Sequence, residues 1–179
     1  MRVFTPAEIE AVINLLPNTP DNGQAYQALM QMMQDQQIIE QPYTFEVDFV
    51  GAGGGGTFAA PGPAGQTVGN FLVDTSSPFM LISTTYKADV AAAAQNSGNT
   101  IVPNATVMIQ DQSSNRNWMN IAVPVPSLFG TAQLPYFWPK PRLIPGNTNV
   151  NVTLASFEAA VTNNVRLSFH GYRLYSTAQ

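Results

Sequence analysis

Hydrophobic and polar residues alternate with a period of two along most of the chain after Pro42. Over 43–49, aromatic and aliphatic residues at the odd positions alternate with Thr44, Glu46 and Asp48. This pattern is typical of a strand with one buried face and one solvated face. Further segments of this kind, separated by turn residues, predict about eight strands. The predicted strands are 43–49, 67–73, 79–87, 104–110, 117–123, 141–144, 149–154 and 165–175.

The first 40 residues carry a helical period instead. Thr5 is the cap of a first helix, Pro6 is its first residue, and Glu8 completes the capping box with Thr5. A second helix is expected near 24–37. The apolar stripe of the first helix consists of Ile9, Val12, Ile13 and Leu16. Together the two periods predict a mainly β protein, an antiparallel jelly-roll-like β-sandwich with an N-terminal helical hairpin.

The expected domain boundary lies where the period changes, with a helical N-terminal arm over 1–41 and a β-sandwich domain over 42–179. A two-helix unit of this size cannot hold a core of its own. It must dock either on its own sandwich or on another subunit, and both alternatives are open. Because each contact with a neighbour adds avidity in an assembly, we expect the apolar stripe to contact another subunit.

Six prolines fall within 124–145 and predict an extended edge segment, followed by a turn at Pro145, Gly146 and Asn147 and a C-terminal hairpin. The same segment contains three consecutive aromatic residues, Tyr136, Phe137 and Trp138, which cannot all point into one core. We expect at least one of them to face outward as part of an interface. The alternative is that they close the end of the sandwich.

Glycine and alanine residues predict two local irregularities. Gly171 interrupts the last strand and predicts a bulge that turns Tyr172 and Leu174 inward. Alternatively, Tyr175 stays in register and Leu174 faces solvent or a neighbour. A short helical turn is expected over 88–94.

Composition changes this picture mainly through charge. Of 179 residues, 45% are hydrophobic but only 10% are charged, with a net charge of −4. Ordinary soluble domains have roughly 25% charged residues, so we expect much of this surface to be covered in an assembly. The alternative is a secreted or simply low-charge domain. The seven basic residues are scattered, which disfavours nucleic acid as a partner.

The absence of cysteine and of long apolar segments excludes further kinds of site and of membrane attachment. The chain has no cysteine, which excludes disulfides and Cys-ligated zinc. It has no signal-like N-terminus and no apolar segment long enough to span a membrane. We therefore expect synthesis in a cytoplasm, with no membrane insertion.

The most suggestive catalytic motif is Asp74-Thr75-Ser76 after an apolar segment, because aspartic proteases begin their catalytic turn in this way. A single copy would require a homodimer, and the glycine expected later in such proteases is missing. The same residues favour an Asx-type turn between two strands, which is the interpretation we prefer.

Other candidate sites are weaker. The run Gly51–Gly56 lacks the Lys-Ser/Thr of a phosphate loop, and His170 lies in mid-strand with no nucleophile motif nearby. Glu46 and Asp48 at positions i and i+2 fit an exposed polar face better than a metal site. We therefore expect no enzymatic activity, no catalytic residues, no cofactor and no metal.

The order of several segments within 66–175 carries a resemblance. The segments are PFML, ATVMIQDQSSNR, VPVPSLFG, PYFWPKPRLIPGNTNVNVTL and NVRLSFHGYRLY. This order resembles small virion structural proteins of tailed bacteriophages, of the minor capsid, cement or decoration type with a β-sandwich fold.

The resemblance implies a non-enzymatic protein of the virion that is synthesised in the host cytoplasm and stabilises the capsid shell. It implies the major capsid protein or other virion proteins as partners, and a homodimer or homotrimer. The alternatives are a head–tail connector or tail component, and more remotely an aspartic-type protease. A carbohydrate-binding sandwich, with sugars stacked on Trp118, Trp138 and tyrosines, is a further alternative.

Overall fold

Ten strands and one short helix form the part of the chain that the computed structural model describes, residues 2–3, 38–49, 65–90, 100–157 and 163–176. In chain order these elements are β1 (Arg2–Val3), β2 (Ile38–Phe49), β3 (Gln66–Leu72), β4 (Phe79–Val90), β5 (Ala105–Asp111), β6 (Arg116–Asn117), β7 (Val123–Pro124), α1 (Val125–Leu128), β8 (Tyr136–Ile144), β9 (Asn149–Ser156) and β10 (Asn163–Ser176). All pairs of neighbouring strands among them are antiparallel.

The strands form two sheets. The first sheet has the order β1-β2-β10-β4-β8, and the second has the order β3-β9-β5-β6, with β7 also paired to β5. Consecutive long strands therefore alternate between the sheets, since β2 and β4 belong to the first and β3 and β5 to the second. The prediction of a mainly β protein built from antiparallel sheets is confirmed.

The hydrophobic core lies between the two sheets. In β9, Val150, Val152 and Leu154 are fully buried, whereas the residues between them are half-buried. Phe169 of β10 and Phe129, which follows α1, meet in the core with their ring centroids 5.3 Å apart, edge to face. Burying one such side chain contributes about 1.5–3 kcal/mol. The buried residues of β9 recur at every second position, as the alternation in the sequence predicts.

The predicted strand 117–123 is wrong over most of its length. Only its ends are strands, as parts of β6 and β7, and the residues between them form bends. Trp118 and Met119 both pack against the core, and the Met119 sulfur accepts the Ile109 backbone N–H at 3.4 Å. Two adjacent side chains can turn to the same side only where the alternation of a strand is broken.

Helical structure also differs from expectation. The predicted helical turn over 88–94 is wrong for 88–90, which belong to β4 and pair with β10; 91–94 lie outside the described residues. In the proline-rich segment, which was expected to be extended, α1 forms one turn with Pro126 near its start, where a missing N–H is tolerated. The predicted turn before β9 is confirmed, and Asn147 adopts a left-handed φ of 61° there.

The predicted bulge in β10 is wrong, because the extra residue lies in the opposite strand. Gly171 pairs with Leu81 while its neighbour pairs with Ser83, so Ile82 is the extra residue and β4 carries the bulge. The register of β10 with β2 is unbroken. A Cβ on residue 171 would lie 1.9 Å from the Met80 carbonyl oxygen, so the bulged backbone requires a glycine opposite it.

At the end of β10, Tyr175 stays in register as the second alternative expected, but Leu174 is not exposed as that alternative allowed. It is only 3% exposed, so it does not face solvent. Tyr172 pairs with Met80, and Met80 with Leu143, which places this group on the face of the first sheet that points away from the core. Met80, Leu143 and Leu174 are buried there, outside the cluster between the sheets.

The N-terminal region is described only in part. The predicted helices over 5–37 lie outside the described residues, as does the glycine run. β2 begins at Ile38, and β1 pairs with it through Arg2 with Glu40 and Val3 with Ile39, so strand structure extends into the segment predicted as the arm. Among the described residues, no helix has the length and apolar character needed to cross a bilayer.

Candidate interface at the edge of the first sheet

β8 places the three consecutive aromatic residues at the edge of the first sheet. Tyr136 and Trp138 are half-buried and pack against the core. Phe137 lies between them and is 63% exposed, because successive side chains of a strand point to opposite faces. One of the three aromatic residues therefore faces outward, as expected, and the other two pack against the core.

The inward pair belongs to a cluster of aromatic rings. The Trp138 ring lies 5.9 Å from Tyr136 and 5.9 Å from Trp118, each time edge to face. The Arg142 guanidinium stacks over Trp118 at 4.4 Å from the ring centroid, in a cation–π contact. Trp118 and Trp138 are thus used for internal packing, which leaves Phe137 as the aromatic side chain of β8 that is free to bind a partner.

The indole nitrogen of Trp138 is an exception to this packing. Nε1 is buried and has no hydrogen-bond partner. A buried N–H without a partner costs about 1–3 kcal/mol.

A cleft of about 500 Å³ opens next to Phe137 on the outer face of the first sheet. It lies across all four long strands of this sheet, and Ile82, the extra residue of the β4 bulge, is part of its lining. The cleft is lined by Pro42, Tyr43, Thr44, Ile82, Ser83, Phe137, His170, Gly171 and Tyr172. None of these residues carries an acidic or a Lys/Arg side chain, so the cleft suits an uncharged ligand or protein surface.

His170 lies in the cleft and bridges its neighbouring strands. Nδ1 is 3.0 Å from the Thr44 hydroxyl of β2, and Nε2 is 2.8 Å from the Thr85 hydroxyl of β4. Burial lowers the pKa of His170 below its ordinary value, and the nearby Glu46 carboxylate opposes this shift. The neutral imidazole can donate to one threonine and accept from the other, so this histidine ties strands together.

Charged side chains on this face lie farther along the same strands. Arg166 of β10 binds Asp48 of β2 through two hydrogen bonds of 2.6 and 2.8 Å. These bonds raise the pKa of the Arg166 guanidinium. Glu46 lies 4.0 Å from the same guanidinium. Asp48 therefore forms an ion pair between β2 and β10, with Glu46 close to the same guanidinium. This arrangement fits the exposed polar face that the sequence favours.

The other catalytic candidate, Asp74, forms the Asx-type turn that the sequence favours. Its Oδ1 accepts the Ser76 backbone N–H at 3.1 Å, and its Oδ2 lies 2.8 Å from Nη2 of Arg173. Arg173 also donates to the Ser77 hydroxyl and lies over the Tyr43 ring. The Ser76 backbone hydrogen bond, and then the Arg173 bond, lower the pKa of Asp74 from 3.8 to about 2. This carboxylate holds a turn against β10.

Within the described ranges, acidic residues and histidine do not converge as a set of three that could hold a metal ion. Comparisons with protein-family models, with curated proteins and with solved structures gave no match to this chain. The candidate site therefore has to be judged on its own geometry.

The sequence located part of this site and missed the rest. Of the predicted interface residues, Phe137 lines the cleft, whereas Tyr136 and Trp138 pack against the core on the other face of β8. The stripe Ile9, Val12, Ile13 and Leu16 lies outside the described residues. The role of both sets at an interface remains a prediction. The cleft itself was missed, because it is lined by residues of four strands, one of them bulged, whose pairing the sequence did not reveal. Gly171 was the only signal of it in the sequence.

Proposed function

We propose that this chain is a non-enzymatic structural protein of a tailed-bacteriophage virion that binds and stabilises the capsid shell. The observation that carries the proposal is the exposed Phe137 at the sheet edge beside an uncharged cleft of about 500 Å³. An exposed aromatic anchor next to a neutral concave surface is typical of protein–protein interfaces. The partner is the major capsid protein or another virion protein, and the chain acts as a homodimer or homotrimer.

We infer further that the two sheets form a jelly roll. The strands pair in a nested way, β2 with β10, β3 with β9, β4 with β8, and β5 with β7. This is the pairing of one long hairpin rolled into two sheets, and it supports the jelly-roll interpretation. Jelly rolls recur in viral capsid domains, although a fold by itself does not assign a function.

The surroundings of the two catalytic candidates support a non-enzymatic role. Asp74 is held ionised by a turn N–H and by Arg173, whereas an aspartic protease needs two carboxyls that share a proton. His170 is bonded on both ring nitrogens to threonine hydroxyls. Among the contacts of Asp74, no second carboxyl lies beside it to share a proton.

The chain stabilises the shell through preferential binding. A protein that binds the assembled shell but not its free subunits shifts the assembly equilibrium toward the shell by mass action. This mechanism requires a surface that fits the assembly and no chemistry. The low charge of the chain, 10% of residues, suits a subunit whose surface is covered by neighbours.

The proposal is tested by adding the purified chain to capsid shells assembled without it and measuring binding by co-sedimentation. We expect saturable binding that Phe137→Ser weakens at least about tenfold, as for a central interface aromatic. The matched control is Ile121→Ser, because Ile121 is 62% exposed and lies between β6 and β7. Absence of saturable binding, or equal losses for both variants, would contradict the proposal.

A further inference from the structure

The edge of the second sheet formed by β3 lacks the features that protect the other sheet edges from pairing with another chain. Edge strands expose unpaired backbone groups, so proteins usually shorten them or place proline or lysine in them. β1 and β6 are two residues long, and β8 contains Pro139, Lys140 and Pro141. β3 is a seven-residue edge strand with none of these devices, QTVGNFL, and no described strand pairs with its outer side.

Hydrogen bonds at the two ends of β3 identify which of its backbone groups point outward. The Val73 N–H donates to the Thr148 carbonyl, and the Ser156 N–H donates to the Gly65 carbonyl. Odd-numbered residues therefore face β9, and the alternation of an antiparallel ladder turns the even-numbered residues to the outer edge. The outward N–H and C=O groups are those of Gln66, Val68, Asn70 and Leu72.

The side chains of the same four residues lie on the solvent face of the sheet. Val68 is 51% exposed and Leu72 is 58% exposed. The neighbouring strands continue this face without a single charge, since the register places Thr153 beside Val68, and Met108 beside Thr153. The residues of this face are Gln66, Val68, Asn70, Leu72, Asn149, Asn151, Thr153, Ala155, Thr106, Met108 and Gln110.

We propose that two copies of this chain associate by pairing β3 with β3 of the second copy, antiparallel and about a two-fold axis perpendicular to the sheet. The pairing joins the second sheets of both copies into one continuous sheet and satisfies the outward groups of β3. It also brings the exposed apolar side chains together. With the axis at Val68, Gly69 or Asn70, Val68 lies opposite or diagonal to Val68 or Leu72 of the second copy.

A second copy fits this edge better than an unrelated peptide for two reasons. Self-pairing places identical surfaces side by side, and an uncharged face does so without like-charge repulsion. A two-fold interface must also be self-complementary, and an antiparallel strand pair meets this condition with any residue of β3 at the axis.

The proposal specifies the interface of the homodimer named under the proposed function. It rests on that function only for the statement that the dimer acts on a capsid shell. The test therefore uses the purified full-length chain, without shells. If the chain dimerises through β3 but does not bind shells, the proposed function fails and this inference stands. If it binds shells as a monomer, the reverse holds.

The experiment compares wild type with Val68→Pro, Val68→Lys and Thr153→Lys by sedimentation velocity over a wide range of concentration. Val68→Pro removes an outward N–H but no bond to β9, and Val68→Lys adds a charge to the edge. Thr153→Lys adds the same charge to the face, one strand away from the edge. We expect wild type and Thr153→Lys to dimerise, and both Val68 variants to raise the dissociation constant at least about tenfold.

Hydrogen exchange on the same proteins supplies a second readout. The amides of Val68 and Asn70 are expected to exchange slowly in the dimer and rapidly in Val68→Lys, while the amides of β9 stay protected in both. The inference is overturned if the wild type is monomeric, if Thr153→Lys rather than the Val68 variants abolishes the dimer, or if the Val68 and Asn70 amides are equally protected in the monomer.

Discussion

At the scale of single residues, Gly171 marks a real irregularity of the first sheet, but the bulge lies in β4 and not in β10 as predicted. The sequence marks it as an interruption in a strand, and an irregularity does occur there. The reason is steric, however, since the carbonyl of Met80 in the neighbouring strand occupies the place of a Cβ. A strand partner cannot be identified from one strand alone, so the position of the bulge could not be predicted.

Gly171→Ala is therefore expected to destabilise the fold. The added Cβ would lie 1.9 Å from the Met80 carbonyl oxygen, so the backbone of β4 or β10 must move. Clashes of this kind cost about 1–3 kcal/mol or more, because backbone cannot yield as a flexible side chain does. Urea unfolding measures the loss, and a change in unfolding free energy below about 0.5 kcal/mol, the range of neutral surface variants, would contradict it.

Asp74 makes the stability of the protein depend on acid pH. Its pKa is lowered from 3.8 to about 2 by the Ser76 N–H and by Arg173, so the folded state favours the ionised carboxylate. The stabilisation is fully present above pH 3.8 and is lost as the pH falls through about 2.

The matching variant is Asp74→Asn, which keeps the shape of the side chain and removes the charge. We expect wild type to be more stable than this variant at neutral pH, and the difference to shrink steadily as the pH falls toward 2. Urea unfolding at a series of pH values measures this convergence. A difference that is independent of pH over this range would show that the Arg173 ion pair does not contribute.

At the scale of elements, β8 separates packing from binding within three residues. Phe137 is exposed, and Trp138 next to it packs against Trp118 and Tyr136. We expect Phe137→Ser to change the unfolding free energy by less than about 0.5 kcal/mol. Trp138→Ser should lower it by about 3 kcal/mol or more, as for other large-to-small changes of packed aromatics.

Chemical denaturation of both variants checks this contrast. The Phe137 variant serves as its own control in the shell-binding experiment, because it should lose binding while keeping its stability. Equal destabilisation by both substitutions would mean that Phe137 belongs to the packed cluster and is not free to bind.

The elements themselves were predictable where a strand has one buried face. The segments that became β2, β3, β5, β9 and the first half of β10 alternate clearly, because each places every second residue in the core, whereas β4 is buried on both faces over most of its length. The segment 117–123 failed, since Trp118 and Met119 both turn inward. The extended edge segment predicted from the prolines is confirmed for β8, but its strand was expected only over 141–144, because the prolines did not reveal its pairing with β4.

At the scale of the whole molecule, charge is distributed unequally between the two outer faces. The first sheet carries Arg166, Asp48 and Glu46 on its outer face, farther along the same strands than the uncharged cleft. The three long strands of the second sheet have no charged residue on their outer face. From the low charge of the composition we predicted that much of the surface is covered in an assembly. The composition does not show where; the strand order places the candidate partner site on the first sheet and the candidate edge for self-association on the second.

The measurement that tests the proposed function most directly is electron cryomicroscopy of virus particles purified from the source of this sequence. The account predicts density for the two-sheet body in many copies at lattice positions on the capsid shell, with the edge that carries Phe137 turned toward a shell protein. A few copies at a single vertex would place the chain in a head–tail connector instead. Particles that lack the chain altogether would contradict the account.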